Sequence, residues 1–464
     1  MIHNIPEVKI GILGVSRSCF PTSLSERRRA ALAKACGESV YECPVTIIRE
    51  SDVPAAIADL EAHGVNAMVL LLGNFGPETP ETIAVERFNG PVMCVASAEG
   101  DGDLIDGRGD AYCGMLNLSY NLGLRHLNPY IPAYPVGTAD ELAKMVEDFA
   151  PIARAILGLR SLKIIAFGPR PDDFLACNAP IKALYDLGVA VEENSELDLL
   201  VAYRAHNDDA RIPALVEEMA AELGNNNPYA GILPRLAQYE LTLLDWAEEH
   251  KGVRDYVCFA NKCWPAFQTE FGFVPCYVNG RLAAKGIPVA CEVDIYGALS
   301  EYIGTCISQK TVTLLDINNS TPKSIYDEQV KACSSCRQNE TFMGFHCGNT
   351  ACALLKDPHM SFQRIMKRDL EPDSEPDITR GTLEGNIKAG PITFYRLQST
   401  ADSQLRAYVA EGEVLPVDCQ SFGSIGTFYI PEMNRFYRHV LIANRFPHHG
   451  AVAFGHYGKL LFEV

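Results

Sequence analysis

The chain has no run approaching the ~18 uninterrupted apolar residues that a helix needs to cross a hydrocarbon core. No membrane-spanning helix is expected. The opening residues, Met1-Ile-His-Asn-Ile-Pro-Glu7, lack the basic stretch and following apolar stretch of a secretory leader, so a cytoplasmic location is expected. Basic residues are in short supply, with 40 Lys and Arg against 58 Asp and Glu, and the net charge of -18 sets the protein against nucleic acid and anionic membrane. Gly11-Ile-Leu-Gly14 follows an apolar run but lacks the G-x-G-x-x-G spacing, and no acid ends the second predicted strand. A dinucleotide fingerprint is therefore absent. No internal repeat shows beyond an alternation of strand and helix patterns.

What is present is apolar bulk: 47% of 464 residues, enough for two or three cores. The sixteen cysteines are scattered, many in apolar runs (Cys36, Cys94, Cys258, Cys276, Cys291, Cys306) where a thiol acts as a small hydrophobe. A disulfide framework is not expected in the cytoplasm. Cys333-Ser-Ser-Cys336, followed by His346-Cys347 and Cys352, resembles a zinc pattern only in its first half. Buried or loop thiols are the expectation there.

Short β-branched runs alternate with helix-forming stretches from Val8 onward: strands at 8–14, 45–48, 67–72 and 91–96, helices at 25–35, 52–63 and 78–87. This spacing predicts βαβ units and a parallel sheet over residues 1–155. Loops after the first and third strands carry Arg17 and Asn74, each an exposed turn residue or a group facing a cleft. A second cycle over 156–308, after a helix at 139–157, has strands at 162–168 and 189–192, helices at 174–187, 212–223 and 232–250, and a stretch at 256–264 that leads from a strand to an aromatic loop. From 309 to 464 the pattern turns to strands separated by Gly, Asp and Pro with little room for helices, which predicts a mostly β, barrel-like unit. Asp369-Leu-Glu-Pro-Asp-Ser-Glu-Pro-Asp377 reads as a solvated connector. The fold class is thus α/β, two open parallel-sheet domains followed by a β-rich one.

The candidate site is written at strand ends. Gly286-Ile-Pro-Val-Ala-Cys-Glu292 is an apolar strand running into a helix, with Glu292 at the joint, where side chains face a crevice and not a core. Thr311-Val-Thr-Leu-Leu-Asp316 ends another strand on a carboxylate before Asn residues. Asn444-Arg-Phe-Pro-His448-His449-Gly-Ala-Val-Ala-Phe-Gly-His456 adds imidazoles. Two acids and a histidine from three strand edges form a hard-metal set suited to Mn²⁺ or Mg²⁺.

Lys262-Cys-Trp264-Pro265, the Glu292 stretch with Gly297-Ala-Leu299, Asp316 and the His448-His-Gly run together resemble the L-fucose/L-arabinose isomerase superfamily, in its fucose isomerase-like branch. The resemblance is strongest over about 255–320 and the last 20 residues. It implies a Mn²⁺-dependent (or Mg²⁺- or Co²⁺-dependent) aldose–ketose isomerase with Glu292, Asp316 and His449 as ligands. His449 is preferred to His448 because it directly precedes the glycine. Glu292 and Asp316 double as the acid/base pair, since moving a carbonyl between C1 and C2 through a cis-enediol needs a proton removed and returned; a metal-assisted hydride shift is the alternative and would leave both carboxylates purely structural. His346, Asn349, Trp264 and Arg17 are expected to line the sugar site. The resemblance also implies a homo-oligomer, hexamer or trimer, with a site shared between subunits. The sugar is a deoxyhexose, a pentose or a sulfonated hexose such as sulfoquinovose, for which Arg17, Arg27-Arg-Arg29 or Arg445 would supply a cation. A non-catalytic sugar-binding protein is the competing reading, and it has no need of the metal set.

Overall fold

A computed structural model describes residues 3–105 and 108–464. The chain divides into two compact units, residues 6–157 with the last two residues, and residues 158–462 with the N-terminal residues through Ile5.

In the first unit, strands β1 (Ile10–Val15), β2 (Val40–Ile47), β3 (Ala67–Leu72), β4 (Val92–Ser97) and the short β5 (Val136–Gly137) form one parallel sheet in the order β2-β1-β3-β4-β5. β1, β3 and β4 are buried throughout, as apolar runs covered on both faces must be. Helices α1 (Thr22–Cys36), α2 (Val53–Ala62), α3 (Glu78–Arg87), α4 (Ala111–Leu124) and α5 (Ala139–Arg160) make the crossovers. The strand order reverses between β1 and β3, which opens a crevice at their carboxyl ends. Arg17 and Asn74 meet there: Asn74 Oδ1 accepts from the Arg17 backbone N–H at 3.0 Å, and the guanidinium pairs with Glu78 at 2.8 Å and lies over Phe75.

The second unit opens with a four-stranded parallel sheet, order β7-β6-β8-β9, from β6 (Leu162–Gly168), β7 (Ala190–Ser195), β8 (Tyr256–Asn261) and β9 (Val289–Cys291). Between these strands come α6 (Lys182–Asp186), α7 (Glu196–Ala205), α8 (Ile212–Leu223), α9 (Leu233–His250), α10 (Ala266–Phe271) and α11 (Cys276–Ala284). After β9, helix α12 (Ile295–Ser308) is buried on every face from Ile295 to Ile307, packed between this sheet and the strands that follow. A helix with no solvent-facing side is stable only in that setting.

The last eight strands are β10 (Val312–Ser320), β11 (Thr341–His346), β12 (Leu355–Phe362), β13 (Arg380–Ile387), β14 (Gly390–Ser399), β15 (Leu405–Val414), β16 (Ser424–Tyr429) and β17 (His449–Phe454). The ladder β11-β10-β17-β14-β15-β16 closes on itself because β16 also pairs with β11, Thr341 opposite Tyr429 through His346 opposite Ser424. The ring is an antiparallel barrel, and β13 and β12 extend it from β16. The architecture is thus the one the sequence pattern predicts, two parallel-sheet domains followed by a β-barrel.

Three local expectations are corrected. The stretch 174–187 holds only a turn at Leu175–Cys177 and the short α6, because Pro180 lacks an N–H and forces Ala179 out of helical backbone. The β region does contain helices, at Arg364–Leu370 and over 433–442. The acidic loop after residue 369 is organised around buried Glu371, whose carboxylate accepts the backbone N–H groups of Asp377, Ile378 and Thr379.

Candidate metal centre and active site

Glu292 stands where β9 stops, on backbone that few residues tolerate. Glu292 and Val293 are consecutive left-handed residues with φ of 61° and 57°. Such conformations cost on the order of 1–3 kcal/mol each, and a β-branched Val there is a true outlier. The turn swings the Glu292 side chain away from the sheet and delivers Asp294 to the first turn of α12. There the Asp294 carboxylate caps the helix by accepting from Gly297 N at 2.9 Å. A Cβ on Gly297 would sit 2.5 Å from that carboxylate, so the cap requires glycine at this position.

Asp316 and His449 are direct cross-strand partners on β10 and β17 and therefore point to the same side of the barrel. His346 ends β11, on the other flank of β10. His449 Nε2 lies 3.2 Å from Glu292 Oε2 and 3.3 Å from Asp316 Oδ1. His448 Nε2 is 3.8 Å from the same Asp316 oxygen, and the His346 ring centroid is 5.7 Å from that of His449. Glu292, Asp316, His346, His448 and His449 thus converge. Asp316 Oδ1, His346 Nε2 and His449 Nε2 are buried without a hydrogen-bond partner, so the short approaches are atoms aimed at a common point and not at one another. The set Asp316, His346, His449 and the set Glu292, His448, His449 each bring their ligand atoms within 4.8 Å.

Hydrogen bonds assign the histidine tautomers. His449 Nδ1 donates to Asp294 Oδ2 at 2.8 Å, which leaves a lone pair on Nε2 facing the carboxylates. His346 is the opposite case: its Nδ1 accepts from Cys347 N at 2.9 Å, so the neutral ring carries its proton on Nε2. The first can offer a lone pair to a cation and the second can donate a hydrogen bond.

Charge balance at the centre follows from Arg396. Its guanidinium grips both Asp294 oxygens at 2.7 and 2.8 Å, and both side chains are fully buried. Burial opposes the Asp294 charge, but Arg396 and His449 hold its pKa far below the usual carboxylate range. With Asp294 cancelled by Arg396, Glu292 and Asp316 are two negative charges facing the imidazoles. Burial would raise both carboxyls, yet His449 and His346 keep them below their ordinary values. Burial alone disfavours charge on His449, but Cys177, Asp294 and Asp316 push its pKa well up. A field that favours a proton at that spot favours a divalent cation equally, and the donor set of carboxylates and imidazole fits one. Burial lowers the pKa of His346 and of His448.

Cys177 Sγ lies behind the ring, 3.5 Å from His449 Nδ1, and burial raises its pKa. Phe174 packs on the rings of His448 and His449 at 5.5 and 5.9 Å. Asp294, Arg396, Cys177 and Phe174 are the parts of the site that sequence reading missed. Only Asp294, two residues after Glu292 and three before a glycine, carried a local signal.

The remaining expected residues are not joined to this cluster. Asn349 is buried with an unpartnered Oδ1, its backbone against Gly280 of α11. Trp264 is half-buried just before α10. Arg17 is engaged by Glu78 in the first unit, Arg28 by Glu99 and Asp103, and Arg29 by Glu42. Arg445 and His456 are exposed. All sixteen cysteines are free, and Cys333 and Cys336 belong to no metal-ligating group among the described residues. His206, Asp209 and Asp245 form such a group, but the Arg211 guanidinium bridges both carboxylates and serves as their cation. A cavity of about 790 Å³ along the C-terminal half of β10, lined by Asn318, Asn319, Gln338, Asn339 and Tyr437 among others, includes none of Glu292, Asp316 and His449.

Comparison with known proteins bears on both ends of the chain. Residues 11–160 match the family profile described as fucose/sulfoquinovose isomerase, N-terminal domain, and residues 344–464 match L-fucose isomerase, C-terminal domain. The chain is similar to the sulfoquinovose isomerase of Clostridium sp. (strain MSTE9), 27% identical over 303 residues, covering 63% of this chain and 60% of the relative. It is 24% identical over 296 residues to that of Alkalicoccus urumqiensis, covering 62% and 59% respectively. The match to that of Priestia megaterium is 22% over 311 residues, 65% and 62%. The chain thus spans about three-fifths of the length of the curated relatives it matches.

Proposed function

The chain belongs to the fucose isomerase-like superfamily, and from that premise we propose that it interconverts an aldose and a ketose by proton transfer between C1 and C2 of an open-chain monosaccharide. A 6-sulfonated hexose is the substrate class we favour, in line with the relatives named sulfoquinovose isomerase. The observation that carries the reading is the convergence of Glu292, Asp316 and His449 Nε2 on one buried point, beside the Nε2–H of His346.

We assign Glu292, Asp316 and His449 as ligands of a divalent cation, Mn²⁺ by preference. When bound, such an ion polarises the carbonyl and stabilises enediolate charge. The chain's own groups do the rest. Glu292 and Asp316 take and return the proton, one on each side of the cis-enediol. His346 donates through Nε2 to a substrate oxygen, and burial keeps it neutral for that task. Asp294 fixes the His449 tautomer, and Arg396 keeps Asp294 charged without adding to the net charge at the centre. Phe174 covers the imidazoles and limits water on that side. We further propose a cytoplasmic homo-oligomer, hexamer or trimer, whose subunits share the site. Arg17, Asn349 and Trp264 remain proposed sugar contacts.

The test is a screen of neutral and sulfonated aldoses with added Mn²⁺, read as ketose formed. Ketose should appear with the wild type and vanish with Glu292→Gln and Asp316→Asn, both folded by circular dichroism. Near-normal turnover in either variant refutes the assignment.

A further inference from the structure

The cavity of about 790 Å³ along β10 falls within the ~300–1,000 Å³ range of small-molecule sites. Two irregularities of the backbone shape it. β17 pairs with β10 only as far as Asp316, and past that point the register between β10 and β11 slips, so that Asn318 is an extra, bulged residue between Ile317 and Asn319. The helical stretch over 433–442, which supplies Met433, Asn434 and Tyr437 to the lining, loosens into a π-helix from Tyr437 to Ile442. Bulges and π-turns re-aim side chains and are enriched at functional sites. The lining is also uncharged. None of the eleven described residues that line the cavity is an acid, a base or a histidine, in a protein with 21% charged residues, and five are carboxamides: Asn318, Asn319, Gln338, Asn339 and Asn434. Charged neighbours in sequence pair off among themselves, Arg337 with Glu340 at 2.7 Å and Arg435 with Glu432 at 3.2 Å. An ionic ligand would therefore lose water there without gaining a counter-charge.

The amides keep both kinds of hydrogen-bonding group. Asn319 Nδ2 donates to Asn318 Oδ1, which leaves a donor on Asn318 and an acceptor on Asn319 within one amide pair. Gln338 Nε2 is committed to Thr321 O at 2.9 Å, so the Gln338 oxygen remains an acceptor. Asn339 and Asn434 are exposed. Phe342 and Met433 add buried apolar surface, and Tyr437 keeps half of its surface open to solvent. A neighbouring donor and acceptor complement a vicinal diol, each hydroxyl of which donates and accepts, and a tyrosine ring offers an apolar face for the C–H bonds of a sugar ring. We propose that this cavity is a second saccharide site, separate from the metal centre, which takes the closed ring of a neutral pyranoside through these five carboxamides with Tyr437 against the ring face. It goes beyond the isomerase reading and does not need it, because its ligand stays cyclic and uncharged and none of Glu292, Asp316 and His449 lines the cavity.

The test uses the full-length protein with Mg²⁺ and the methyl α- and β-pyranosides of glucose and galactose, whose locked rings cannot open to the chain form that an isomerase converts. Methyl β-glucuronoside is the anionic control. Binding is read by saturation-transfer NMR and calorimetry. At least one neutral glycoside should bind with a dissociation constant of about 1 mM or below, with its ring C–H protons the most strongly saturated, and the glucuronoside should bind about tenfold more weakly. Tyr437→Ala and Asn434→Ala should each weaken the neutral ligand about tenfold, and Tyr437→Phe by less than about threefold. No glycoside bound, wild-type affinity in both alanine variants, or a glucuronoside bound as tightly as its neutral counterpart overturns the proposal. A fall in assembly mass by light scattering in Tyr437→Ala, with no glycoside bound by the wild type, also overturns it and assigns the cavity to a contact between subunits.

Discussion

Replacing Asp294 by Asn tests the link between the buried ion pair and the metal ligand. The carboxylate accepts from four groups: both Arg396 nitrogens at 2.7 and 2.8 Å, His449 Nδ1 at 2.8 Å and Gly297 N at 2.9 Å. Each oxygen accepts from two of these groups, so an amide must turn its NH₂ toward two of the donors, and it leaves the guanidinium buried without a countercharge. Breaking a buried pair on one side costs about 3–5 kcal/mol, or a fall of roughly 5–15 °C in melting temperature for a cooperative unit of this size. Removing both charges together, as Asp294→Asn with Arg396→Met, should recover most of that stability. Metal affinity should behave differently. In both variants His449 exchanges a charged acceptor for at best a neutral amide oxygen, and disturbing such a partner weakens metal binding about 10–100-fold. Calorimetric Mn²⁺ titration and thermal melts of the four proteins in this cycle separate the effects. Wild-type Mn²⁺ affinity in either Asp294→Asn protein, or a double variant no more stable than the single, refutes the reasoning.

Glu81 of α3 is buried with neither carboxyl oxygen hydrogen-bonded, and burial, then Glu78, pushes its pKa up to about 8 against the opposing pull of Arg17. Folding therefore takes up a proton between the unfolded value near 4.5 and about 8, and stability falls across that window by at most about 1.4 kcal/mol per pH unit from this group. Glu81→Gln should flatten the fall in urea melts taken from pH 5 to 9, and an unchanged slope contradicts the assignment. Gly304 of α12 lies so close to Tyr395 that a Cβ would sit 1.6 Å from the phenol oxygen, which donates to Ser300 O at 3.0 Å. Gly304→Ala should cost about 1–3 kcal/mol despite Ala's better helix propensity, and adding Tyr395→Phe should recover part. A gain in stability for the single variant would show that the contact relaxes without strain.

Much of the architecture was legible because its signals are local. Runs such as Ala67–Leu72 announce buried parallel strands, and the Glu292 joint is visible as an apolar run stopping on a carboxylate, whereas Asp316, expected at a strand end, lies mid-strand because β10 continues through Asn318 and Asn319 to Ser320. What was hidden is what depends on closure. Arg396 lies within a strand whose alternation leaves its direction undecided, yet it is fully buried against Asp294, 102 residues away. Cys177 meets His449 across 272 residues. Glu371 looked like one acid among several in a solvated loop until the backbone N–H groups converged on it.

The most direct test of the central claim is anomalous diffraction from crystals grown with Mn²⁺. The account predicts one strong peak about 2.0–2.3 Å from a Glu292 oxygen, Asp316 Oδ1 and His449 Nε2, lost in Asp316→Asn. No peak between these three atoms, or one only at His206, Asp209 and Asp245, would contradict it.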